Sequence, residues 1–333
     1  MVPMKKRRVT SADIARAVGV SQATVSYVIN DVPTQSISPT TRARILEAAT
    51  SLGYTPYGPA KTLATGRSNL VLMVLPGWPI GYAFSAALDE VETRLAAVGI
   101  SLLMYRIIRP SQRNAESWKA IGPFAVIGLD AFDEAEARAM RDAGIEVVTV
   151  QLDDTEGETS VSRPQLIVGR LQVGHLARTG HERLGYAFPD DDRLIEYSTP
   201  RLEGVRLACA ELGLGEPVVQ VVPQYPEPAA EAVREWKRLG VTAICAYNDE
   251  VALAVLAGIH ALGLEAPADL AVVGADNDPT GRLSCPSLTT VDLHHRDIGR
   301  RLAELLIGPY LGQPVPKSEG PIPTELVIRQ SAP

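Results

Sequence analysis

The sequence predicts an α/β protein in which an all-α N-terminal headpiece and a hinge precede two doubly wound parallel-sheet lobes. Three observations predict this architecture. Residues 10–30 fit two short helices joined by a tight turn. From residue 69 onward, short apolar strands alternate with amphipathic helices of about 10–15 residues, which is the pattern of parallel βαβ units. The chain has 333 residues, too many for one ordinary hydrophobic core.

The first helix of the hairpin has recognisable ends. The stretch reads TSADIARAVGVSQATVSYVIN, in which Thr10 and Asp13 have the spacing of a capping box. Gly19 suits the left-handed position that ends a helix. Ser21 then predicts the N-cap of a second helix, which runs to about Asn30.

The second helix has a face that is free to touch another molecule. Val25 and Val28 point to one side of it, with Ile29 on their flank. The opposite side holds residues that suit hydrogen bonds and methyl contacts with DNA base edges, namely Gln22, Ala23, Ser26 and Tyr27. A helical hairpin with a solvated polar face is the plainer alternative, since short helix pairs are common.

A third helix and a linker complete the N-terminal part. Ser38 predicts an N-cap, Pro39 suits the first helical position, and Gly53 follows the end of the helix. Three apolar residues predict the stripe that closes the headpiece core: Ile45, Ala49 and Leu52. Residues 54–68 are small and polar enough to form a linker, in which Leu63 is the one large aliphatic residue.

Charge is distributed unevenly along the chain. Residues 1–67 contain nine Lys or Arg and three acidic residues, a formal charge of +6, whereas the whole chain carries −7. A basic N-terminal part on an acidic body predicts a module that binds a polyanion. The KKRR run, which includes Lys5 and Arg7, then predicts contacts to DNA phosphates, with a solvated basic tail as the alternative.

Several absences narrow the cellular setting. No apolar run approaches the roughly 18 residues that span a bilayer, and the basic N-terminus leads into no apolar signal segment. The three cysteines are widely spaced and form no CxxC pair, which favours a reducing cytosol. We therefore expect a cytoplasmic protein with no membrane partner.

No catalytic constellation is visible in the sequence. GxSxG, the phosphate-binding GxxxxGK motif and a GxGxxG after the first strand are absent. His294 and His295 have no acidic or cysteine partner at metal-ligand spacing, and the start of a helix is the simpler interpretation. We expect no catalytic residue, no metal and no cofactor, because an enzyme interpretation would rest on fold class alone.

The alternating region divides into two runs, parted near residues 153–162. Right-handed βαβ units in each run predict a doubly wound parallel sheet. Ligands of such sheets bind at the carboxyl ends of the strands. Two lobes of this kind predict a cleft between them for a small molecule.

Several segments together resemble the LacI/GalR family of repressors. AVGVSQATVSYVIN, SPTTRARILEAATSLGYTP and KTLATGRSN are similar to the headpiece and hinge of that family. RLEGVRLA, AYNDEVALAVLAGIHALGL, LAVVGADN, PSLTTVD and PTELVIR are similar to its effector domain, which is related to periplasmic binding proteins. The resemblance implies a helix-turn-helix headpiece at 1–53, a hinge at 54–68 and an effector-binding and dimerisation domain at 69–333. The implied lobes are discontinuous: about 69–162 with 293–322, and about 163–292 with 323–333.

The resemblance also implies DNA contacts. Three residues on the face that carries Ser26 match the family's base-reading positions: Gln22, Ala23 and Tyr27. Three others match headpiece positions near the DNA backbone: Ser21, Thr24 and Asn30. Leu63 matches the hinge leucine that wedges into the minor groove and kinks the duplex.

Three polar residues match effector-contacting positions of the family: Arg201, Asn248 and Asp276. We expect all three at βα junctions on the cleft side; the alternatives are a surface ion pair for the arginine and turn positions for the other two. Tyr225 lies near a position where the family often stacks an aromatic residue on the ligand. Three aromatic residues after the first strand line either the opposite wall or the core: Trp78, Tyr82 and Phe84.

Two departures from the family bear on the effector domain. The segment after YRII is short, which predicts a first lobe with a missing or trimmed helix. VSRPQLIVG replaces a stretch where the family often has an Asp. Both departures leave the effector unidentified.

These features predict a homodimer that binds a pseudo-palindromic DNA operator, since two-fold protein symmetry demands a two-fold site. We expect a small-molecule effector, such as a carbohydrate, to change the lobe angle and thereby the DNA affinity. The operator-bound protein would be nucleoid-associated. Two other classes stay open: a solute-binding receptor, which would need a signal peptide and no headpiece, and a sugar- or nucleotide-modifying enzyme, which would turn over its ligand.

Overall fold

The computed structural model describes residues 9–30, 36–55, 68–75, 77–107, 117–129, 132–151, 160–162, 165–314 and 320–333. The chain forms two compact units, Met1–Asn69 and Leu70–Pro333. The predicted phosphate contacts Lys5 and Arg7 and the predicted hinge residue Leu63 lie outside the described residues.

The N-terminal unit contains the helices α1 (Ser11–Val18), α2 (Gln22–Ile29) and α3 (Pro39–Ser51). Seven buried side chains from all three helices form its core: Ile14, Ala15, Val18, Val25, Val28, Ile45 and Ala49. The sequence predicts Leu52 as the third apolar residue that α3 contributes to this core, and that prediction is wrong. Leu52 is the C-cap residue of α3 and is 40% exposed, so it lies outside this core.

The predicted capping residues set the ends of the first two helices. The backbone N–H of Thr10 donates to Asp13 Oδ2 at 2.9 Å. Gly19 has a φ of +78°, in the left-handed region that favours glycine. The N–H of Thr24 donates to Ser21 Oγ at 3.1 Å, which satisfies an otherwise unpaired donor at the start of α2.

The first sheet of the larger unit is entirely parallel. Its strands are β1 (Leu70–Leu75), β2 (Ser101–Arg106), β3 (Ala125–Gly128), β4 (Glu146–Gln151) and β5 (Ser160–Ser162). They lie in the order β2-β1-β3-β4-β5, and Val71 of β1 pairs with Leu102 on one side and Ala125 on the other. The described helices between these strands are α4 (Tyr82–Ala97), α5 (Ser117–Ile121) and α6 (Glu134–Asp142).

The second sheet has six strands, in the order β11-β10-β9-β8-β6-β7. They are β6 (Leu184–Pro189), β7 (Val218–Val222), β8 (Ala243–Ala246), β9 (Ala271–Ala275), β10 (Thr289–Asp292) and β11 (Glu325–Val327). Only the pair of β10 and β11 is antiparallel. The associated helices are α7 (Leu166–Arg178), α8 (Ile195–Glu211), α9 (Pro226–Arg238) and α10 (Asp249–Ala261).

The chain passes between the two sheets three times: from β5 to α7, from β10 to α11 (His295–Leu311), and from α11 to β11. Although α11 follows a strand of the second sheet, it packs against α4 of the first. The approach is close at Gly299, where a Cβ atom would collide with the carbonyl oxygen of Ala87. Helix α11 therefore belongs structurally with the first lobe.

The predicted α/β class is confirmed, and the differences from the predicted elements are local. The sequence pattern predicts a helix near residues 201–212, but the helix of this region, α8, begins at Ile195. The pattern also predicts a helix over residues 231–239, but α9 begins at Pro226, because proline is well accepted in the first turn of a helix. Between β2 and β3 the structure describes the five-residue helix α5, and the predicted trimming falls on residues 108–116, which lie outside the described residues.

Candidate functional sites on helix α2 and in the inter-lobe cleft

The outward face of α2 is uncharged. Gln22 and Ala23 are exposed, Ser26 and Tyr27 are half-buried, and Val25 faces the core. The helix sequence QATVSYVI contains no acidic or basic residue. The four predicted base-reading residues therefore share one accessible face that offers donors, acceptors and a methyl group without a formal charge.

Hydrogen bonds inside the headpiece hold two of the polar side chains in place. Gln22 Nε2 donates to Ser11 Oγ at 2.9 Å, which joins α2 to the start of α1. Asn30 Nδ2 donates to Ser26 Oγ at 3.1 Å, one turn earlier in the same helix. These bonds limit the rotamers of the outward face before any ligand arrives.

Helix α3 is hydrogen-bonded to the carboxyl end of α1 and packs against both helices of the hairpin. Arg44 Nη2 donates to the carbonyl oxygen of Val18 at 2.9 Å, at the carboxyl end of α1 where the helix dipole favours a cation. Ile45, the next residue, is buried between the helices. The three helices therefore form a compact headpiece of the helix-turn-helix type, with α2 in the position of the recognition helix.

A cleft opens between the carboxyl ends of strands from both sheets, where doubly wound folds bind ligands. The first lobe contributes mostly apolar and aromatic residues: Trp78, Ile80, Tyr82, Phe84, Arg106 and Leu129. The second lobe contributes mostly polar and charged residues: Tyr197, Arg201, Asn248, Asp249, Glu250, Asp276 and Asp278. One wall therefore suits an apolar ring face, and the other suits hydrogen-bonding groups.

Arg201 and Asp276 form a buried ion pair in the second-lobe wall. Arg201 Nη2 lies 3.0 Å from Asp276 Oδ1, and the two residues are only 2% and 9% exposed. Burial opposes the charge on Asp276, but Arg201 and His295 together outweigh burial and hold the pKa of this carboxyl well below its usual range. The pKa of Arg201 is raised in turn, against the opposing effect of burial. Both groups are therefore ionised in the cleft.

Other groups surround this ion pair. Arg201 Nε donates to Gln165 Oε1 at 2.7 Å, and Nη1 donates to the carbonyl oxygen of Tyr247 at 2.6 Å. The guanidinium carbon lies 4.8 Å from the centroid of the Tyr247 ring. On the other side, His295 Nε2 lies 3.3 Å from Asp276 Oδ1.

The structure places His294 and His295 at the start of a helix and close to two carboxylates. His295 is the first residue of α11, so the predicted helix start is confirmed. The sequence shows no acidic partner of these histidines at metal-ligand spacing, but the fold brings Asp276 to His295 and Glu325 to His294. Neither carboxylate is close to the pair in sequence, and only the packing of β9, β10 and β11 brings them near.

A second buried carboxyl group lies in the same wall. Asp249 accepts hydrogen bonds from the Thr290 hydroxyl at 2.6 Å and from the N–H of Asp278 at 2.7 Å. Burial raises the pKa of Asp249 well above its usual range, and the charge of Asp276 adds to the effect. Gly274 leaves room for this carboxyl, since a Cβ atom there would collide with it. The wall thus holds one carboxylate kept ionised and one carboxyl shifted toward its neutral form.

Most of the predicted effector contacts line one cleft: Arg201, Asn248, Asp276, Tyr82 and Phe84. The expected placement of Arg201 at a βα junction is wrong, because the side chain enters from the second turn of α8. Asn248 follows β8 as expected, and it also caps α10, since its Oδ1 accepts from the N–H of Val251 at 3.0 Å. Its role as a turn residue and its place in the cleft are compatible.

The structure places Tyr225 outside the cleft that the other predicted effector contacts line. This residue is the N-cap of α9, is 69% exposed and is not among the residues that line the cleft. Because α9 begins at Pro226, the tyrosine stands at the solvent end of the helix.

Sequence reasoning missed several residues that shape the cleft. Asp249 and Glu250 directly follow Asn248, so their positions in the chain offered a signal. Tyr197, Gln165 and His295 offered none, because only the packing of α8 and of the inter-lobe connections places them near Arg201 and Asp276.

Two absences hold for the described part of the chain. No group of three or more His, Cys, Asp or Glu residues there is placed to hold a metal ion. Within the same residues, no helix combines the length and the apolar character that a membrane crossing requires.

Comparisons with known proteins match both the N-terminal unit and the larger unit of the chain. Residues 10–57 match the lacI family of bacterial regulatory proteins, and residues 173–332 match a periplasmic binding protein-like domain. The HTH-type transcriptional regulator DegA of Bacillus subtilis (strain 168) is 26% identical over 336 residues, which cover 97% of this chain and 98% of that protein.

Two solved structures share the fold over nearly the whole chain. The lac repressor dimer bound to operator and the anti-inducer ONPF has a TM-score of 0.81 at 24% identity, covering 98% of this chain and 99% of that chain. A complex of the transcriptional regulator CelR with cellobiose has a TM-score of 0.63 at 25% identity, covering 97% and 100%. These relatives are regulators and not enzymes. The chain therefore belongs to the LacI family of transcriptional regulators, with a DNA-binding helix-turn-helix domain followed by a periplasmic-binding-protein-like effector domain.

Proposed function

We propose that the protein is a dimeric transcriptional repressor whose two headpieces bind the half-sites of a pseudo-palindromic operator. The observation that carries this proposal is the capped, uncharged outward face of α2 on a helix-turn-helix unit. Gln22, Ala23, Ser26 and Tyr27 then read base edges in the major groove. The residues at the ends of the face approach the backbone: Ser21, Thr24 and Asn30.

The phosphate and minor-groove contacts complete this proposal. Lys5 and Arg7 supply sequence-independent affinity through phosphates, because α2 itself has no basic residue. Leu63 enters the minor groove from the hinge at 54–68. All three residues lie outside the described parts of the chain, and their roles stay predictions.

We further propose that the cleft binds a neutral polyhydroxylated effector of the carbohydrate class. The aromatic side chains of Tyr82 and Phe84 suit the C–H face of a sugar ring, while Arg201, Asn248 and Asp276 suit its hydroxyl groups. The cellobiose bound by the relative CelR supports this chemical class. We leave Tyr225 out of the proposed site.

Effector and operator would be coupled through the angle between the lobes. A ligand that favours one lobe angle shifts the population of the dimer toward it. Because coupling of two binding equilibria is reciprocal, the operator then changes the effector affinity by the same factor. The division into headpiece 1–53, hinge 54–68 and effector domain 69–333 is part of this proposal.

A ligand screen tests the effector class. Thermal unfolding would be recorded with monosaccharides, cellobiose and nucleosides, since a ligand at a hundred times its Kd adds about 2.7 kcal/mol of stability. Asp276→Asn should abolish calorimetric binding of a sugar that stabilises the wild type, whereas Asp190→Asn, at an exposed position, should not. Binding of a nucleoside and of no sugar would show that the proposed class is wrong.

A selection from random duplexes tests the DNA proposal. The selected sequences should share a two-fold symmetric motif, and sedimentation should show two chains per duplex. A solute-binding receptor would select no motif. An enzyme would be revealed by chemical change of a bound ligand during prolonged incubation.

A further inference from the structure

We infer that Gln165 and His295 are positioning residues that tie the Arg201–Asp276 pair to two of the three connections between the lobes. The geometry of the ligand-facing pair then depends on the lobe angle. This inference rests on the proposed function of the cleft as an effector site.

The first tie orients Arg201. Gln165 is buried and immediately precedes α7, at the end of the connection that leaves the first sheet after β5. Its Oε1 accepts from Arg201 Nε at 2.7 Å, while Tyr247 and Asp276 take N–H groups of the two terminal nitrogens. A guanidinium held on three sides has a single orientation, because its five N–H groups lie in one rigid plane.

The second tie is a contact with Asp276 that is made from the opposite lobe. His295 is buried and begins α11, the helix that packs against α4 of the first lobe. Its Nε2 lies 3.3 Å from Asp276 Oδ1, the same oxygen that contacts Arg201 Nη2 at 3.0 Å. One carboxylate oxygen is therefore shared between a cation of its own lobe and a side chain carried by the other lobe.

A rotation of the lobes moves α11 relative to β9 and so changes the His295–Asp276 contact. A ligand hydroxyl group that engages Asp276 acts on the same carboxylate. Ligand binding and the lobe angle thus both act on the Asp276 carboxylate. No longer chain of contacts is needed to couple them. Gln165, at the end of another inter-lobe connection, makes the orientation of Arg201 depend on the same lobe angle.

Trp78 provides a reporter of lobe closure. It belongs to the connection between β1 and α4, and its ring packs edge-on against Tyr197 of α8 with centroids 4.5 Å apart. Beside it, Arg193 Nη1 donates to the carbonyl oxygen of Gly77 at 3.2 Å. Both contacts join the first lobe to the second, so they exist only while the cleft is closed at this edge.

The test is 19F NMR of the full chain labelled with 5-fluorotryptophan, in the absence of DNA and small molecules. The chain has three tryptophans. Trp118 lies in a core of the first lobe and Trp236 in the core of the second, so their signals are internal controls for folding. The Trp78→Phe variant identifies the third signal as that of Trp78. The solvent isotope shift of this signal measures the exposure of the Trp78 ring.

Each positioning residue has a disruptive and a conservative variant. His295→Phe and Gln165→Met remove the contacting polar atom, whereas His295→Gln and Gln165→Glu keep a donor or an acceptor near the same place. We expect the disruptive variants to raise the open-to-closed ratio roughly tenfold, the order expected for one contact to a charged group. The Trp78 signal should move toward its exposed value, with Trp118 and Trp236 unchanged. The conservative variants should restore it.

An unchanged Trp78 signal in both disruptive variants, with the two control signals native, would overturn the inference. So would equal responses of the disruptive and conservative variants, which would indicate a purely steric role. Neither outcome depends on sugar or DNA binding. A failed ligand screen with a responding Trp78 would refute the effector proposal and leave these contacts standing.

Discussion

The outward face of α2 and the inter-lobe cleft are both proposed binding sites for polar ligands, yet they are built in opposite ways. The face on α2 is uncharged and accessible, and its residues come from eight consecutive positions. The cleft is organised around a buried ion pair, Arg201 and Asp276, whose members lie 75 positions apart. The first site is a property of one helix, whereas the second exists only in the folded lobes.

The physical reason lies in the desolvation of charge. A surface that reads base edges keeps its donors and acceptors open to water until DNA displaces it, so neutral side chains suffice. A buried charge is strongly unfavourable unless it is paired and hydrogen-bonded. The cleft therefore needs several segments of the chain to hold one ion pair. We expect substitutions on α2 to change binding alone, and substitutions in the cleft to change stability as well.

The largest expected effect is the loss of one partner of the buried ion pair. Arg201→Met leaves the Asp276 carboxylate buried without its main cation, which should lower the free energy of unfolding by about 3–5 kcal/mol. Urea denaturation measures this loss. Arg201→Met combined with Asp276→Leu should recover much of it, because no charge stays buried.

The exposed ion pair of Arg238 with Glu235 is the matched control. Arg238→Met should change the free energy of unfolding by less than about 1 kcal/mol. If the Arg201→Met protein is no less stable than the Arg238→Met protein, burial of charge is not what distinguishes the cleft.

The next effect separates the two compact units. Ile45→Ala removes a buried side chain from the small headpiece core, which should destabilise that unit by about 2–5 kcal/mol. Operator binding should disappear in a gel-shift titration. Calorimetric unfolding of the larger unit should stay as in the wild type. Leu46→Ala, at the exposed neighbouring position, is the control and should leave both properties intact.

A smaller effect tests base reading by α2. Tyr27→Ala should weaken binding to the selected operator by about 1–3 kcal/mol, with little change on random duplex DNA. Its thermal unfolding should match the wild type, in contrast to the cleft variants. Replacement of Lys5 or Arg7 should weaken both kinds of DNA and flatten the salt dependence. If Tyr27→Ala lowers the affinity for the operator and for random DNA by the same factor, Tyr27 contacts phosphates and does not read bases.

The smallest effect concerns the two carboxyl groups of the cleft wall. Because the pKa of Asp249 is raised on folding, the native state binds more protons above the ordinary carboxyl pKa. Stability should therefore fall as the pH rises through that window. Asp249→Asn, which resembles the protonated form, should flatten this dependence in urea titrations at a series of pH values.

Asp276→Asn should have the opposite effect on the pH profile. The folded pKa of Asp276 is depressed, so its contribution is present above the ordinary carboxyl pKa and is lost as the pH falls through the folded value. If Asp249→Asn and Asp276→Asn shift the pH profile in the same direction, the two carboxyl groups are not held in opposite protonation states.

The headpiece could be predicted from the sequence because its determinants are local. Thr10, Asp13, Gly19 and Ser21 specify the ends of α1 and α2 by short-range capping, and the observed bonds follow that prediction. The same holds for the alternation of strands and helices in the lobes, since buried parallel strands are continuous apolar runs. The ends of elements were less predictable: α8 and α9 begin earlier than their helical patterns indicate.

The cleft also has features that the sequence predicts and features that only the tertiary structure sets. The sequence by itself indicated that Arg201, Asn248 and Asp276 belong to segments of the cleft, because they stand in motifs that resemble a known family, and all three line the cleft in the structure. Only the tertiary structure decided that Arg201 enters from a helix, that Tyr225 stays outside, and that Gln165 and His295 hold the ion pair. Residue type and periodicity show which side chains tend to be buried. They do not show which buried charges meet, because an ion pair between distant segments is set by how sheets and crossovers pack.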